Sequence, residues 1–132
     1  MATALDFGYT PSMAKNYYVD GFIAPVPRKK LKEYQRNAAV LGKIWRKYGA
    51  LKYVECVGDD TPKGKITSFP RSVKLKSGEV VIYSWIQYKS RAHRDAVMKK
   101  IHKDAKVAEI FENMPFDGMR MVWGGFKPFV SL

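Results

Sequence analysis

The apolar periodicity of this chain changes from that of a strand to that of a helix and back again, twice along its length. Runs that are rich in β-branched and aromatic residues, or that alternate apolar and polar residues, predict strands over residues 17–24, 51–57, 80–89 and 119–129. Apolar residues spaced three or four apart predict one helix over residues 28–48. A second helix is expected between Ser90 and Met114, with a kink or a restart at Lys103-Asp104. Residues 68–75 are expected to be extended.

Two β-α-β units joined by a hairpin predict an α+β protein with the ferredoxin-like split βαβ topology. In that topology the helices pack on one face of an antiparallel sheet and leave the other face without a cover. A bare sheet face that carries Trp and Tyr is an exposed apolar patch, and such a patch predicts a partner. The simplest partner is a second copy related by a two-fold axis, so we expect a homodimer formed through sheet-to-sheet packing.

The chain length is that of one domain, which we place at residues 17–132. Residues 1–16 are expected to form a flexible leader, because Gly, Thr, Pro and Ser interrupt any periodicity there. This leader resembles neither a secretory signal nor a membrane anchor. Cys56 is the only cysteine, which excludes an intramolecular disulfide and fits a reducing compartment. We therefore expect a cytoplasmic protein without membrane contact.

Lysine and arginine outnumber aspartate and glutamate by 24 to 12, which gives a formal net charge of +12 at pH 7. A charge of this size attracts polyanions such as nucleic acid. The predicted helices carry many of these basic residues: Lys29, Lys32, Arg36, Lys43, Lys47, Lys99, Lys100, Lys103 and Lys106. However, the chain has no RNP-like or GXXG motif, and its aromatic residues interleave with the strands rather than with these lysines. Nucleic acid is thus a conceivable partner but not the expected one.

Several stretches of the sequence resemble one known family. They are Tyr18-Val19-Asp20-Gly21-Phe22, Glu55-Cys56-Val57-Gly58-Asp59-Asp60, Lys65-Ile66-Thr67-Ser68-Phe69-Pro70, Ser84-Trp85-Ile86, Tyr88-Lys89-Ser90-Arg91-Ala92-His93-Arg94-Asp95, Met114-Pro115-Phe116-Asp117-Gly118 and Gly124-Gly125-Phe126-Lys127. On these stretches the chain resembles the YbaA-like family of uncharacterised small bacterial proteins, within the dimeric α+β barrel superfamily. The resemblance implies the ferredoxin-like protomer and the sheet-to-sheet dimer, but no activity. The superfamily includes cofactor-free monooxygenases, haem-degrading enzymes, isomerases and plain binding proteins, so fold alone does not indicate function.

Sequence patterns for metal or phosphate binding are missing. His93 and His102 are nine residues apart, and no His-x-x-x-His, Cys-x-x-Cys or Glu-x-x-His pattern occurs. The segment Gly64-Lys65-Ile66-Thr67 has the composition of a phosphate loop, but its spacing is wrong and no helix pattern follows it. We expect no metal and no cofactor. Cys56, flanked on its strand by Glu55 and Val57, is expected to be an inert core residue rather than a nucleophile.

Two titratable residues are weak candidates for catalysis. Asp20 lies inside an apolar strand, where a carboxylate needs a partner or a raised pKa. It is either the acid or base of a pocket or half of an ion pair at the dimer interface, with Glu55, Tyr53 and Arg120 as candidate neighbours. His93 lies at the start of the second helix. It is either a base or ligand contact, or a helix-start histidine that bonds to a neighbouring loop.

Aromatic residues on the strands provide the candidate ligand-binding surface. Together with Arg94, next to His93, the candidates are Tyr53, Tyr83, Trp85 and Trp123. They suit a flat organic ligand, and the alternative is core and interface packing. The sequence therefore favours a small-molecule-binding or cofactor-independent enzymatic dimer with a pocket between sheet and helices. The alternatives are a nucleic-acid-binding module on the basic helices, or a structural or interaction protein without a ligand. Whether the protein is an enzyme stays open.

Overall fold

The computed structural model describes residues 16–132, in which four strands form one antiparallel sheet with the order β2-β3-β1-β4. The strands are β1 (Tyr18–Pro27), β2 (Lys52–Val57), β3 (Glu79–Tyr88) and β4 (Val122–Phe126). The helices are α1 (Leu31–Lys47), α2 (Phe69–Ser72), α3 (Arg91–His102) and α4 (Ala105–Asn113). This is the split βαβ order, so the predicted α+β fold class is confirmed. The predicted leader, residues 1–16, lies outside the described residues except for Asn16.

Helix α1 packs against the sheet because its apolar residues recur on one side. The buried residues of this helix are Tyr34, Ala38, Leu41, Gly42 and Trp45. They pack against the sheet face that carries Val26, Ile82 and Tyr88. Burying a large apolar side chain stabilises the fold by about 1.5–3 kcal/mol, so this stripe holds the helix in place. Gly49 follows the helix with a φ of +118°, a backbone conformation that favours glycine.

Helices α3 and α4 are separate because Asp104 starts a new helix. Its Oδ1 accepts hydrogen bonds from the backbone N–H groups of Lys106 and Val107, which caps α4. The Tyr48 hydroxyl donates to Oδ2 of the same carboxylate over 2.5 Å, which ties the end of α1 to the start of α4. The restart predicted at Lys103-Asp104 is therefore found. Ser90 caps α3 as expected, since its hydroxyl accepts from the His93 N–H.

The segment between β2 and β3 differs from the expectation. Residues 68–75 were expected to be extended, but Phe69–Ser72 form the short helix α2. Ser68 caps it by accepting from the Arg71 N–H, and a proline in the first turn favours the helix. The Phe69 ring packs edge-on against Tyr83 on the sheet face away from the other helices, with ring centroids 5.8 Å apart. Val73 is fully buried, so this face is partly covered rather than bare.

Arg120 fastens that segment to the sheet. Its guanidinium donates to the carbonyl oxygens of Val73 and Lys74 and pairs with Glu79 over 2.7 Å. It also pairs with Asp117 over 2.9 Å. The sequence suggested Arg120 as a neighbour of Asp20. The structure does not bring the two together, because the turn that precedes β4 directs Arg120 to the far end of β3.

Strands β1 and β4 also differ in length from the prediction. Strand β1 continues through Pro25 to Pro27, because β4 pairs with it only as far as Ile23 and leaves that edge free. Strand β4 is shorter than the predicted residues 119–129, since a 3-10 turn at Gly118–Arg120 precedes it. None of the helices in the described part of the chain is long and apolar enough to cross a bilayer.

Candidate functional site

A cavity of about 710 Å³ lies between the sheet and the helices α1, α3 and α4. Its size is within the range of small-molecule sites, about 300–1,000 Å³. Alternation along β1 directs Asp20, Phe22 and Ala24 towards the helices and into the cavity wall. The wall is mostly apolar: Phe22, Ala24, Leu41, Trp45, Ile86, Met98, Ile101, Val107, Ala108, Phe111, Met114, Phe116, Met121 and Trp123. Its polar members are Asp20, Tyr34, Tyr53, Glu55, Ser84, Arg94, Asp95, Lys99, His102 and Asp104.

Asp20 is the most buried charged residue in this wall. Only 2% of it is exposed, since it lies between Ile86 on β3 and Gly125 on β4. Burial raises the pKa of its carboxyl group, against the lowering effects of Arg94 and of hydrogen bonding with Tyr88. Its Oδ1 accepts no hydrogen bond from any residue in the range 16–132. A buried oxygen without a hydrogen bond is costly, and protein atoms enclose this one, so the nearby charge of Arg94 is what offsets its burial.

Arg94, from the second turn of α3, is the charged neighbour of Asp20. Its Nη1 lies 3.7 Å from Oδ1 of Asp20, an ion pair without hydrogen-bond geometry. Its Nη2 donates to the Tyr18 hydroxyl over 3.2 Å, and the guanidinium carbon lies 5.0 Å from the centre of the Tyr18 ring. The contacts with Tyr18 hold the guanidinium beside Asp20 but do not use all of its N–H donors.

Gly125 provides the space in which Tyr18 and Arg94 meet. A Cβ at this position would collide with the Tyr18 hydroxyl and would lie 2.7 Å from Nη2 of Arg94. Any side chain on Gly125 would therefore push the guanidinium out of position. The neighbouring Gly124 has its free side on the opposite face of the sheet, where a Cβ would lie 3.5 Å from Phe126.

The surroundings of Asp20 also include a tyrosine, which accepts a hydrogen bond from a tryptophan. The Trp45 Nε1–H donates to the Tyr88 hydroxyl over 3.1 Å, and both residues are buried. Burial and the nearby charge of Asp20 raise the pKa of Tyr88 above its usual range. Tyr88 therefore stays protonated near neutral pH.

The second carboxylate of the cavity, Glu55 on β2, has partners on both oxygens. The Tyr34 hydroxyl donates to Oε1, and the Tyr53 hydroxyl donates to Oε2 over 2.7 Å. Burial, followed by the charge of Glu55, raises the pKa of both phenols above the usual range. The hydrogen bonds of this carboxylate are complete within the protein, so the cluster shapes one end of the cavity.

The structure divides the residues proposed from the sequence into two groups. Asp20, Tyr53, Arg94 and Trp123 line the cavity. Tyr83 and Trp85 lie on the opposite face of the sheet, because their positions on β3 alternate with those of Ser84 and Ile86. Those two aromatic residues therefore do not share a pocket with Tyr53.

His93 also lies outside the cavity wall. Its Nδ1 accepts a hydrogen bond from the Lys89 N–H over 2.9 Å, so the ring closes the turn between β3 and α3. Burial, and then the charges of Lys89 and Lys100, lower the pKa of the imidazole below its usual value. This is the helix-start histidine of the second interpretation, and its role is to hold the turn.

Sequence reasoning missed Tyr34, Tyr88 and Ser84 as neighbours of the site. Tyr34 belongs to the apolar stripe of α1, and no local pattern distinguishes it from a core residue. Tyr88 and Ser84 lie on the face of β3 opposite to Trp85. Their place on the same face as Asp20 would have been predictable from the pairing of Asp20 with Ile86. The register between distant strands was the missing information.

Two further expectations concern metal and nucleic acid. Within residues 16–132, no three His, Cys, Asp or Glu side chains converge as metal ligands. The nine basic helix residues named above are all exposed, and Lys99 is the one among them that lines the cavity. The basic surface is therefore separate from the apolar site.

The fold is similar to that of SnoaB, a cofactor-independent oxygenase from Streptomyces nogalater, whose structure was solved for a point mutant. The TM-score is 0.53 at 10% sequence identity, and the match covers 89% of this chain and 97% of the SnoaB chain. At this identity the likeness shows the fold alone. It agrees with the α+β barrel class that the sequence predicted.

Closer relatives exist among enteric bacteria. The protein YbaA of Escherichia coli strain K12, described as uncharacterized, is 43% identical over 114 residues, which are 86% of this chain and 97% of YbaA. The YbaA of Shigella flexneri matches to the same extent. A family model described as a protein of unknown function, DUF1428, matches residues 17–118. The YbaA-like resemblance is thus confirmed, and the chain belongs to the DUF1428 family.

Proposed function

We propose that this protein binds a mostly apolar organic molecule in the cavity between the sheet and the helices, with Asp20 as its polar anchor. The observation that carries the proposal is a cavity of about 710 Å³ with a largely apolar wall, in which the buried ion pair of Asp20 and Arg94 is the charged feature. The same cavity wall gives a flat molecule aromatic surfaces to stack on, at Trp45, Phe111 and Trp123.

The arrangement also suits proton transfer without a cofactor. A carboxylate whose pKa is raised by burial is a better base near neutral pH than an exposed one. Asp20 would take a proton from a hydroxyl or an activated C–H of the bound molecule, and the electron pair left on that molecule would face the Arg94 guanidinium. Binding is thus the primary proposal, and proton transfer is the chemistry that this site supports.

We also propose that the protein is a homodimer in the cytoplasm. The sheet face away from α1 presents Ile23, Trp85 and Phe126 to solvent beyond the part that α2 covers. An apolar face of this kind favours a second copy. The cytoplasmic location stays a prediction from the single cysteine, Cys56.

Native mass spectrometry of protein purified gently from its own cytoplasm tests the binding proposal. We expect an adduct of a small organic molecule on the wild-type protein. Ser84→Leu places a larger apolar side chain on the cavity side of β3 and should remove the adduct. Gln87→Leu places the same side chain on the opposite face of the same strand and should keep it.

Titration calorimetry with a naphthalene-based probe, 2-acetonaphthone, provides a second measurement that does not depend on the natural ligand. We expect Ser84→Leu to weaken its binding about tenfold or more, and Gln87→Leu to leave it unchanged. Equal binding to all three proteins, or no binding and no adduct at all, would remove the cavity as a ligand site.

A further inference from the structure

The mouth of the cavity is marked by wall residues that are also exposed to solvent. They come from α3, α4 and β4, and they are Asp95, Lys99, His102, Ala108, Phe111 and Trp123. The rest of the wall is buried or partly buried. A molecule that enters the cavity therefore passes between these exposed side chains, and the end of it that stays nearest to water lies beside them.

Helix α3 contributes the polar side of this mouth. Met98 is partly buried against the core, and Lys99 follows it by one position while still lining the cavity. One position along a helix is a rotation of about 100°, so Lys99 lies at the edge of the cavity rather than beneath the helix. His102 is three positions further on and lies on the same side of α3. Phe111 and Trp123 add apolar surface to the same mouth.

The carboxylates of the mouth have partners, whereas Lys99 has none. Asp95 forms an ion pair with Arg94, over 3.3 Å. Asp104 accepts hydrogen bonds from the Tyr48 hydroxyl and from two backbone N–H groups. Within the described part of the chain, no carboxylate oxygen lies within 4.0 Å of the Lys99 ammonium nitrogen. This ammonium group is therefore available to an anion at the mouth.

We propose that the molecule bound in the cavity is an organic acid, with a flat apolar body inside the cavity and one carboxylate at the mouth, paired with Lys99. His102 adds an imidazole whose N–H donates a hydrogen bond to the same carboxylate. The net charge of +12 attracts anions from solution, and Lys99 directs that attraction to the mouth. This inference rests on the proposed function, and it adds the chemical class of the ligand.

The charges inside the cavity determine which end of the acid enters. A carboxylate deep in the cavity would lose its hydration and would approach the negative charges of Asp20 and Glu55. At the mouth the carboxylate keeps water on one side and meets Lys99 instead. An ammonium group at the same place would be repelled by Lys99. The acid therefore enters with its ring system first.

The test compares two probes of nearly the same shape, 2-naphthoate and 2-acetonaphthone, of which only the first is charged. Lys99→Met keeps most of the side chain and removes its charge. In titration calorimetry at low ionic strength, we expect this variant to bind 2-naphthoate about twofold to fivefold more weakly than the wild type, the effect of an exposed ion pair. Its affinity for 2-acetonaphthone should be unchanged. At about 1 M salt the difference for 2-naphthoate should disappear, because salt screens an exposed pair.

Lys100→Met is the matched control. Lys100 is the next residue on α3 and is also exposed, but it does not line the cavity. Its substitution lowers the net charge by the same amount without changing the mouth, so both probes should bind as they bind the wild type. Equal weakening of 2-naphthoate in the two lysine variants, or no weakening in either, would overturn the inference. Binding of 2-acetonaphthone would then keep the cavity as a ligand site.

The two histidines of the chain provide a second readout by nuclear magnetic resonance. His102 lines the mouth, whereas His93 lies outside the cavity wall. Addition of 2-naphthoate should shift the ring-proton resonances of His102 and leave those of His93 in place. Binding of 2-naphthoate without a shift at His102, or binding of 2-acetonaphthone alone, would contradict the acid and keep the proposed function. Absence of binding by either probe would contradict the proposed function itself.

Discussion

At the scale of single residues, two carboxylates in one cavity have opposite surroundings. Glu55 accepts hydrogen bonds on both oxygens from tyrosines whose pKa values are raised, so its environment is complete. Asp20 keeps one oxygen without a donor, although it is more deeply buried. Phenol hydroxyl groups therefore stabilise the first carboxylate, whereas the charge of Arg94, 3.7 Å from Oδ1, is what stabilises the second.

His93 is the residue whose titration should be visible in the stability of the fold. Because its pKa is lowered in the native state, the unfolded chain binds the proton more readily. The free energy of unfolding should therefore decrease as the pH falls below about 6.5, and this part of the stability should be fully present above that value. Protonation would also remove the Nδ1 acceptor of the Lys89 N–H.

Urea unfolding between about pH 8 and about pH 5 measures this contribution. We expect His93→Asn to lose part of the acid-induced decrease, since its side-chain oxygen can still accept from the Lys89 N–H but does not titrate. One interpretation of the sequence made His93 a base or a ligand contact, and on that interpretation His93→Ala would weaken ligand binding. Its position outside the cavity now predicts unchanged affinity for 2-acetonaphthone. An unchanged pH slope in the asparagine variant would contradict the assignment.

At the scale of elements, strand β4 contains two glycines whose substitution by alanine should have different effects. Gly125→Ala should destabilise the protein by about 1–3 kcal/mol, because the new methyl group collides with the buried Tyr18 and displaces Arg94. It should also weaken the binding of 2-acetonaphthone, since the displaced guanidinium changes the cavity wall beside Asp20. Chemical denaturation and calorimetry measure the two effects.

The matched control for that change is Gly124→Ala on the same strand. Its methyl group would lie at an ordinary contact distance of 3.5 Å from Phe126 and would not touch the cavity. We expect its free energy of unfolding to stay within about 0.5 kcal/mol of the wild type. If both glycine variants were equally stable and bound 2-acetonaphthone equally tightly, the packing role of Gly125 would be wrong.

The elements were predictable where their signal is local. The stripe of α1, the strongly apolar β3 and the cap at Ser90 follow from spacing within a few residues, and the structure contains all three. Helix α2 was missed because its four residues are too few to show a period, and its cap at Ser68 is a single contact. Short elements depend on the surface that they pack against, here Tyr83.

The site was only partly predictable because it joins residues that are distant in sequence. The sequence identified Asp20 as unusual, but its partner came from α3, above the sheet, instead of from a neighbouring strand. Alternation along β3 places Trp85 on the sheet face away from the cavity. Which residues of β3 lie on that face can be assigned only when the register with β1 is known. No rule based on one strand provides this register.

At the scale of the whole molecule, the uncovered part of the sheet predicts the oligomeric state. We expect the wild-type protein to sediment as a dimer, and Trp85→Glu to sediment as a monomer, because an unpaired carboxylate buried at an apolar interface is strongly unfavourable. Val40→Glu introduces the same charge on an exposed site of α1 and should remain a dimer. A monomeric wild-type protein would contradict sheet-to-sheet association.

The position of Trp123 has a practical consequence. Of the three tryptophans, Trp45 and Trp123 line the cavity and Trp85 lies on the far face of the sheet, but Trp45 is already buried whereas Trp123 is 60% exposed. An indole that passes from water to an apolar contact changes its emission wavelength. The change in tryptophan fluorescence when a ligand binds should therefore come from Trp123. The protein therefore contains its own optical reporter of binding, and the colour of its fluorescence distinguishes an empty site from a filled one.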